Sequence, residues 1–411
     1  METIPLLEEK RIVLGITGGI AAYKACSLAS HLTQAGAQVD VVMTEAAMRF
    51  VTPLTFEALT GRPAYTSMWR TSGEALPTHI AHVGLAHAAD LLVIAPATAN
   101  TIAKLAQGLA DNLLSTLALA ARCPLLLAPA MDVGMWAHPA TQANVAVLRE
   151  RGVAFAGPAR GRMASGLEGE GRLVEPDEIL GHVRRVLGRE GPLTGRLVVV
   201  SAGPTEEPLD PVRFLSNPSS GRQGFALSQA AVDRGATVTL VTGPTHLATP
   251  VGVDRVDVRT AEEMQAAVLE ASGRADALLM AAAVGDYGSV GVATQKMKKG
   301  AEDLTLHLTR TPDVLAAVAR KRADTDRPFV VVGFAAETED LLKNARKKLE
   351  EKRLDLVVAN DVTAADAGFG TETNRVVLLS RDGEATELPL MSKSGVAEKI
   401  LDRVGDLLKE V

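Results

Sequence analysis

The 411-residue chain has only two cysteines, Cys26 and Cys123. Two thiols supply neither a disulfide framework nor a cysteine-based zinc or iron–sulfur site, and their scarcity fits a reducing compartment. Aromatic residues are also few, at 3%. With 47% apolar residues, the cores must therefore be built mainly from Ala, Val and Leu, which suits helices packed closely on parallel strands. Positive charge is not in excess: the formal net charge is −6, giving no general pull toward nucleic acid or an anionic membrane. No apolar run approaches the ~20 residues that span a bilayer. The opening METIPLLEEKR carries acids where a signal peptide has a basic start. These absences predict a soluble, cytoplasmic protein.

What is present is a rhythm. The runs RIVLGIT (11–17), AQVDVVMT (37–44), DLLVIAP (90–96) and PLLLAPA (124–130) read as buried strands. Each leads through small or polar residues into a helical pattern. In the first of these, Ala21, Ala25, Leu28, Ala29 and Leu32 recur at helical spacing and Gly36 ends the helix. Such alternation predicts βαβ units around a parallel sheet, with ligands beyond the carboxyl ends of the strands. The rhythm breaks at LGREGPLTG (187–195) and restarts at RLVVVSAGPT, with further strands expected at 276–282, 329–334 and 355–359. The length itself suggests two or three domains. We expect two doubly wound, mainly parallel-sheet (Rossmann-like) α/β domains, over 1–188 and 189–411, unrelated in sequence.

Several post-strand loops carry candidate chemistry. GITGGIAAYK is not the G-x-G-x-x-G fingerprint, yet a glycine pair between strand and helix lets backbone amides approach a phosphate. A tight turn alone accounts for it equally well. In PATANTIAKLAQGLADNLLST (96–116), Thr98, Asn100 and Thr101 follow a strand. Helix capping explains them blandly, and a flat, polar-edged cofactor is the alternative. In the second half, N-P-S-S-G before a helix offers hydroxyls and amides to an anion, AAAVGDY places Asp286 after a strand, and QKMKKG gathers Lys296, Lys298 and Lys299. Such a cluster is ordinarily a solvated charge run; beside two phosphate-suited loops it reads as a triphosphate clamp.

Over roughly residues 10–185 the motifs GGIAAYK, MTEAA with FVTP, THIAH, APATANTIAKLAQGLADNLL, APAMDVGMW and the ASG loop occur in the order found in flavin-dependent cysteine decarboxylases, which this half resembles. The resemblance implies FMN at Gly18, Gly19, Ile20 and Ala21, with Thr44, Ala97, Thr98, Asn100 and Thr101 lining it. It also implies trimers with the flavin at a subunit contact. Its chemistry falls on three positions. His79 would be a base or orienting group. Asp132 stands in PAMDVGMW where the family carries an amide for the substrate carboxylate, so it is either a raised-pKa acid that donates to that carboxylate or the mark of a lost site. Ser165 stands where the family's loop offers a cysteine as proton source. An alcohol is about 7 pKa units weaker than a thiol, roughly 10 kcal/mol of driving force, so Ser165 is not the direct acid. It would relay a proton from water or Asp132, or the loop would simply close over substrate with Gly166, Gly169 and Gly171 as its pliable points. Cys26, on a helix, and Cys123, at a strand start, are poor substitutes.

Over about residues 194–405 the motifs DPVRFLSN, SSG, AAVGDY, KMKK, GFAAET and AND resemble phosphopantothenate–cysteine ligases. The fused order is that of the bifunctional coenzyme A biosynthesis family. The resemblance implies that CTP activates the carboxylate of 4′-phosphopantothenate as an acyl-cytidylate, releasing pyrophosphate, and that cysteine's amine then forms the amide. Lys296 and Mg2+ would neutralise charge at the α-phosphate. Asn217 and Arg213 would hold the activated intermediate, Lys298 and Lys299 the phosphates, and Asp286 the ribose or the metal. Ser219, Ser220, Gly221, Ala282, Ala283, Phe334, Ala335 and Asn360 complete the expected nucleotide and substrate contacts. Mg2+ would arrive on the nucleotide phosphates rather than in an all-protein cage. The ligase half is expected to pair, joining trimers of the flavin half. Two other readings remain at this point. Asp132 and Ser165 would suit a flavin domain kept only as an oligomerising scaffold for an active ligase. A non-catalytic flavin- and nucleotide-binding regulatory module is the remaining one, against which Asn217, Asp286 and Lys296 speak.

Overall fold

The computed structural model describes residues 2–69, 81–298, 304–337, 340–361 and 371–410. The chain divides into two compact units, Met1–Gly188 and Arg189–Val411. Each is an α/β domain built on a mainly parallel sheet.

In the N-terminal unit six strands lie in the order Ala64–Tyr65, Gln38–Met43, Arg11–Ile16, Leu91–Ala97, Leu125–Pro129 and Ala154–Phe155, every neighbouring pair parallel. Strands flanked by helices on both faces are apolar throughout, and Leu91–Ala97 is buried at all seven positions. Helix Ala22–Gln34 buries Ala22, Ala25, Leu28, Ala29 and Leu32 on one face. Gly36, at φ +101°, ends that run and lets the Ala37 N–H return to the Leu32 carbonyl.

The C-terminal unit has eight strands in the order Val253–Asp257, Thr237–Thr242, Leu197–Ala202, Ala277–Met280, Val330–Glu337, Leu356–Asp361, Val376–Ser380 and Ala385–Glu387. The first six run parallel and the last two join antiparallel. Each fully buried leucine in these cores contributes about 1.5–3 kcal/mol.

One device recurs at the start of the sheets. Asp90 donates its N–H to the Arg11 carbonyl and accepts the Arg11 N–H on its carboxylate, both at 2.8 Å. Asp276 does the same with Leu197, at 2.8 and 2.7 Å, and Asp355 with Val331, at 2.9 and 2.8 Å. Arginines face two of these carboxylates: Arg196 and Arg327 face Asp276, and Arg322 faces Asp355. The strand starts are thus satisfied by side chains, and the candidate sites lie at the other ends.

Candidate active sites

In the N-terminal unit, Gly18, Gly19, Ile20 and Ala21 form the turn between strand Arg11–Ile16 and helix Ala22–Gln34. A Cβ on Gly18 would fall 2.3 Å from that of Ala46, so only glycine allows the turn to press on the Thr44–Ala47 turn. Thr44 Oγ1 donates to the Ile16 carbonyl at 3.3 Å and receives the Ala47 N–H at 3.3 Å. Thr17, which the motifs did not single out, is the buried tie: its hydroxyl donates to the Pro96 carbonyl at 2.6 Å and accepts the Thr98 N–H at 3.2 Å. Thr98 caps helix Ala99–Gln107, and its hydroxyl lies 3.1 Å from that of Thr101. Ala97 and Thr101 are buried beneath this loop, whereas Asn100 is exposed. Lys104 pairs with Asp111 at 2.7 Å and Asn112 caps the next helix, so that stretch serves the fold. Ile20 is 61% exposed and Tyr23 60%, an apolar face beside the turn. His79 lies outside the described residues.

The GRMASGLEGEGR stretch is a hairpin of strands Ala159–Arg162 and Glu168–Arg172 rather than an open loop. Ser165, in its turn, donates to Asp132 Oδ2 at 2.6 Å, and Gly134 N–H donates to Asp132 Oδ1 at 3.1 Å. The Ser165 hydrogen bond, followed by that of Gly134, holds the Asp132 carboxyl below the usual range. The expectation of a raised-pKa acid is therefore corrected: Asp132 is an ionised acceptor that caps helix Val133–Ala137. The pliable-glycine expectation is corrected as well. Gly171 sits at φ +145°, where a Cβ would lie 2.4 Å from the Met131 carbonyl, and Met131 N–H donates to the Gly171 carbonyl at 2.9 Å. Gly169 packs on Val133. Only Gly166 stands in open space. Burial pushes both thiols up, Cys26 and Cys123 alike, which leaves them poor acids.

In the C-terminal unit, Ser219, Ser220, Gly221, Ala282, Ala283, Phe334, Ala335 and Asn360 come together around one cavity of about 150 Å3 at the carboxyl ends of the strands. Arg222, Gln223, Ala281, Asn374 and Lys393 also line it, and the sequence reading had missed all five. Asn217 lies behind the wall, its amide donating to the carbonyls of Ala283 and Val284 at 3.2 and 3.3 Å. Arg213, Asp286, Lys296 and Lys298 are not part of the lining; all four are exposed. Lys299 falls outside the described residues.

Asp210 organises that outer group. It accepts the N–H groups of Val212 and Arg213, both at 2.8 Å, that of Met297 at 3.1 Å, and Arg213 Nε at 2.9 Å. Arg213 also donates to the Met297 carbonyl. Met297 separates Lys296 from Lys298, so this carboxylate pins the lysine segment to the Arg213 turn. Burial alone would raise the Asp210 pKa, but the three backbone donors and the Arg213 charge lower it to about 2. Among the described residues no three His, Cys, Asp or Glu side chains gather to hold a metal ion.

Residues 4–188 match the family model described as Flavoprotein, and residues 193–408 match the DNA/pantothenate metabolism flavoprotein C-terminal domain. The coenzyme A biosynthesis bifunctional protein CoaBC of Bacillus subtilis is 46% identical over 408 residues, covering 98% of this chain and 99% of the relative. The chain belongs to this family. The bifunctional protein of Mycolicibacterium smegmatis is also 46% identical, over 412 residues, with 97% and 98% coverage. A solved C-terminal domain of a bifunctional CoaBC protein aligns over 54% of this chain and all of its own length, at 36% identity and a TM-score of 0.46. As a member of the bifunctional family, the chain is an enzyme of coenzyme A biosynthesis that joins a flavoprotein decarboxylase half to a ligase half. The match spans both halves and gives no support to an impaired flavin half kept as a scaffold. Among the described residues no helix is long and apolar enough to cross a membrane.

Proposed function

We propose that the C-terminal unit, 189–411, couples cysteine to 4′-phosphopantothenate with CTP through an acyl-cytidylate, and that the N-terminal unit, 1–188, decarboxylates the product to 4′-phosphopantetheine with FMN. The observation that carries the reading is the single cavity around eight residues anticipated from motifs scattered over 140 positions of sequence, within a chain matched end to end by bifunctional relatives.

In the ligase half, Ser219, Ser220 and Gly221 at the start of helix Arg222–Asp233 present hydroxyls and amides to a phosphate. Lys296 and Lys298, held by Asp210 through Met297, neutralise the charge that builds up at the α-phosphate. Arg213 and Asn217 position the activated acyl group. Mg2+, carried by the nucleotide phosphates, adds Lewis-acid charge neutralisation. A lone exposed carboxylate, Asp286, suits a cation that brings most of its ligands with it.

In the flavin half, the residues fit FMN. A Cβ on Gly19 would touch only Thr98, at 3.9 Å, so the backbone face of the turn is open, and the helix start behind it favours a phosphate. FMN supplies the reversible two-electron oxidation of the cysteine end that makes loss of CO2 easy. Asp132 and Ser165 then stand as a hydrogen-bonded pair at the hairpin, with Ser165 passing protons from water while Asp132 orients it. The exposed Ile20 and Tyr23 support a flavin at a contact between subunits of a cytoplasmic homo-oligomer, trimers of the flavin half paired through ligase-half dimers.

Incubating the protein with 4′-phosphopantothenate, cysteine, CTP and Mg2+ is expected to release pyrophosphate and then CO2. Absence of pyrophosphate overturns the ligase half. Absence of CO2 from supplied 4′-phosphopantothenoylcysteine overturns the decarboxylase half.

A further inference from the structure

Strand Arg11–Ile16 pairs with strand Leu91–Ala97 from Ile12 with Leu91 to Gly15 with Ile94. On its other side, strand Leu91–Ala97 shifts register with Leu125–Pro129 between Ile94 and Ala97. The backbone at 96–98 thus leaves the regular ladder just where it enters the loop, and buried carbonyl and N–H groups still need partners. One side chain serves two of them. The Thr17 hydroxyl donates to the Pro96 carbonyl at 2.6 Å and accepts the Thr98 N–H at 3.2 Å. A hydroxyl suits this place because it carries a donor and acceptor lone pairs on one atom.

Thr17 is only 1% exposed, so it meets no ligand itself. What it governs is the spacing of residues on either side. Gly19, two positions on, presents the open backbone face of the turn, and a Cβ there would lie 3.9 Å from Thr98 Cγ2. Thr98 in turn accepts the Thr101 N–H at 3.3 Å on its hydroxyl. On the opposite side the Ile16 carbonyl receives the Thr44 N–H at 3.0 Å. The turn is thereby clamped between two loops, and helices Ala22–Gln34 and Ala99–Gln107 start from the turn and from the Thr98 loop. Resting on the reading of these loops as the flavin site, we infer that Thr17 is a positioning residue for FMN. It holds the Gly18–Ala21 turn and the Thr98–Thr101 loop at the separation that the cofactor bridges. A ligand spanning two loops binds more tightly when they are already held, because less ordering is left to the binding step. Without the hydroxyl, the Pro96 carbonyl and the Thr98 N–H lose a partner, and the separation softens.

The test compares three variants with the unaltered protein. Thr17→Val keeps the shape and deletes both hydrogen bonds, whereas Thr17→Ser keeps both. Thr60→Val is the control for stability. Thr60, 8% exposed at the end of helix Pro53–Thr60, likewise donates to a backbone carbonyl, that of Phe56 at 2.9 Å, and accepts a backbone N–H, that of Arg62 at 3.2 Å. FMN dissociation from the full-length holoenzyme is followed by the recovery of flavin fluorescence on dilution, and the visible circular dichroism of the bound flavin is recorded. Thr17→Val is expected to weaken FMN binding at least about tenfold, the scale of one or two lost hydrogen bonds, and to change the dichroism. Thr17→Ser is expected to match the unaltered protein in both. Thr60→Val is expected to lower the urea midpoint while leaving FMN affinity and dichroism unchanged. Equal FMN affinity in Thr17→Val and the unaltered protein overturns the inference, as does an equal loss in Thr60→Val or in Thr17→Ser. Gly19→Ala tests the flavin reading separately, since its methyl stands on the open backbone face in ordinary contact with Thr98 and is expected to weaken FMN. Undiminished binding in Gly19→Ala, or no FMN on the unaltered protein, overturns that reading and the inference with it. Should Thr17→Val not fold, Thr17→Ala, which puts no new atom against the Pro96 carbonyl, decides by the same criteria.

Discussion

Ser165 donates its hydroxyl proton to Asp132 at 2.6 Å, tying the turn of the hairpin to the cap of the helix that begins at Val133. Two residues on which the resemblance to the decarboxylases places the chemistry are thus direct partners. An ionised carboxylate accepts and cannot donate, so the Ser165 hydroxyl is the donor of the pair.

Removing the hydroxyl should therefore be felt on the carboxyl. In Ser165→Ala the largest contribution holding Asp132 low is lost, and its titration midpoint is expected to rise toward the ordinary carboxylate value. The lowered folded-state pKa stabilises the hairpin above the unfolded-state pKa, and this contribution fades as pH falls through the folded-state value. A 13C carboxyl titration followed by NMR checks the shift; an unmoved midpoint would show that the contact does not form in solution.

Ser165→Cys introduces a far stronger acid at the same place. The final protonation of the decarboxylase sequence is expected to accelerate by about 10²-fold, the lower end of the range for a positioned general acid. Stopped-flow visible spectroscopy during turnover of 4′-phosphopantothenoylcysteine reads the flavin reoxidation directly. An unaccelerated reoxidation would mean that the proton does not arrive through residue 165.

The hairpin's glycines make unequal predictions. Gly171→Ala would drive a Cβ into the Met131 carbonyl and is expected to cost about 1–3 kcal/mol, together with the decarboxylase activity. Gly166→Ala meets open space and carries only the cost of its positive φ, about 1 kcal/mol. Urea unfolding of the two variants checks the order.

Asp210→Asn removes the charge that pins Met297. Because the Asp210 pKa lies near 2 in the folded protein, against about 3.9 in an unfolded chain, its stabilisation is complete above the unfolded value and fades as pH falls toward 2. The stability gap between wild type and variant is thus expected to be full at pH 6 and to narrow steadily below pH 4. Urea midpoints across that range provide the measurement, and a pH-independent gap would contradict the account.

Lys296→Ala addresses the chemistry of the second half. Ligase turnover is expected to fall by at least about 10²-fold, the usual cost of deleting one group that stabilises developing charge. CTP binding, followed by calorimetry, should persist. Equal loss of both would make Lys296 a simple anchor.

Much of this architecture was legible from sequence, for a physical reason. Strands such as Leu91–Ala97 and Val330–Glu337 are covered by helices and so read as unbroken apolar runs bounded by small residues. The hairpin at 159–172 was not legible. Its strands alternate Gly with Arg and Glu, bury little, and are held by backbone contact with Met131, which leaves no trace in hydropathy. The inner cavity wall escaped for a related reason: Asn374 and Lys393 are isolated polar residues in a late segment that looks solvated. One signal was available. A lysine at the first position of a helix, here after the Ser392 cap, opposes the helix dipole and asks for an explanation.

The three aspartates at the strand starts carry a wider consequence. Asp90, Asp276 and Asp355 each exchange two hydrogen bonds with the neighbouring strand, so the foundations of both sheets are self-contained. Whatever is rebuilt on the opposite rim leaves those foundations untouched. The two halves can thus change their chemistry independently of the frames that carry it.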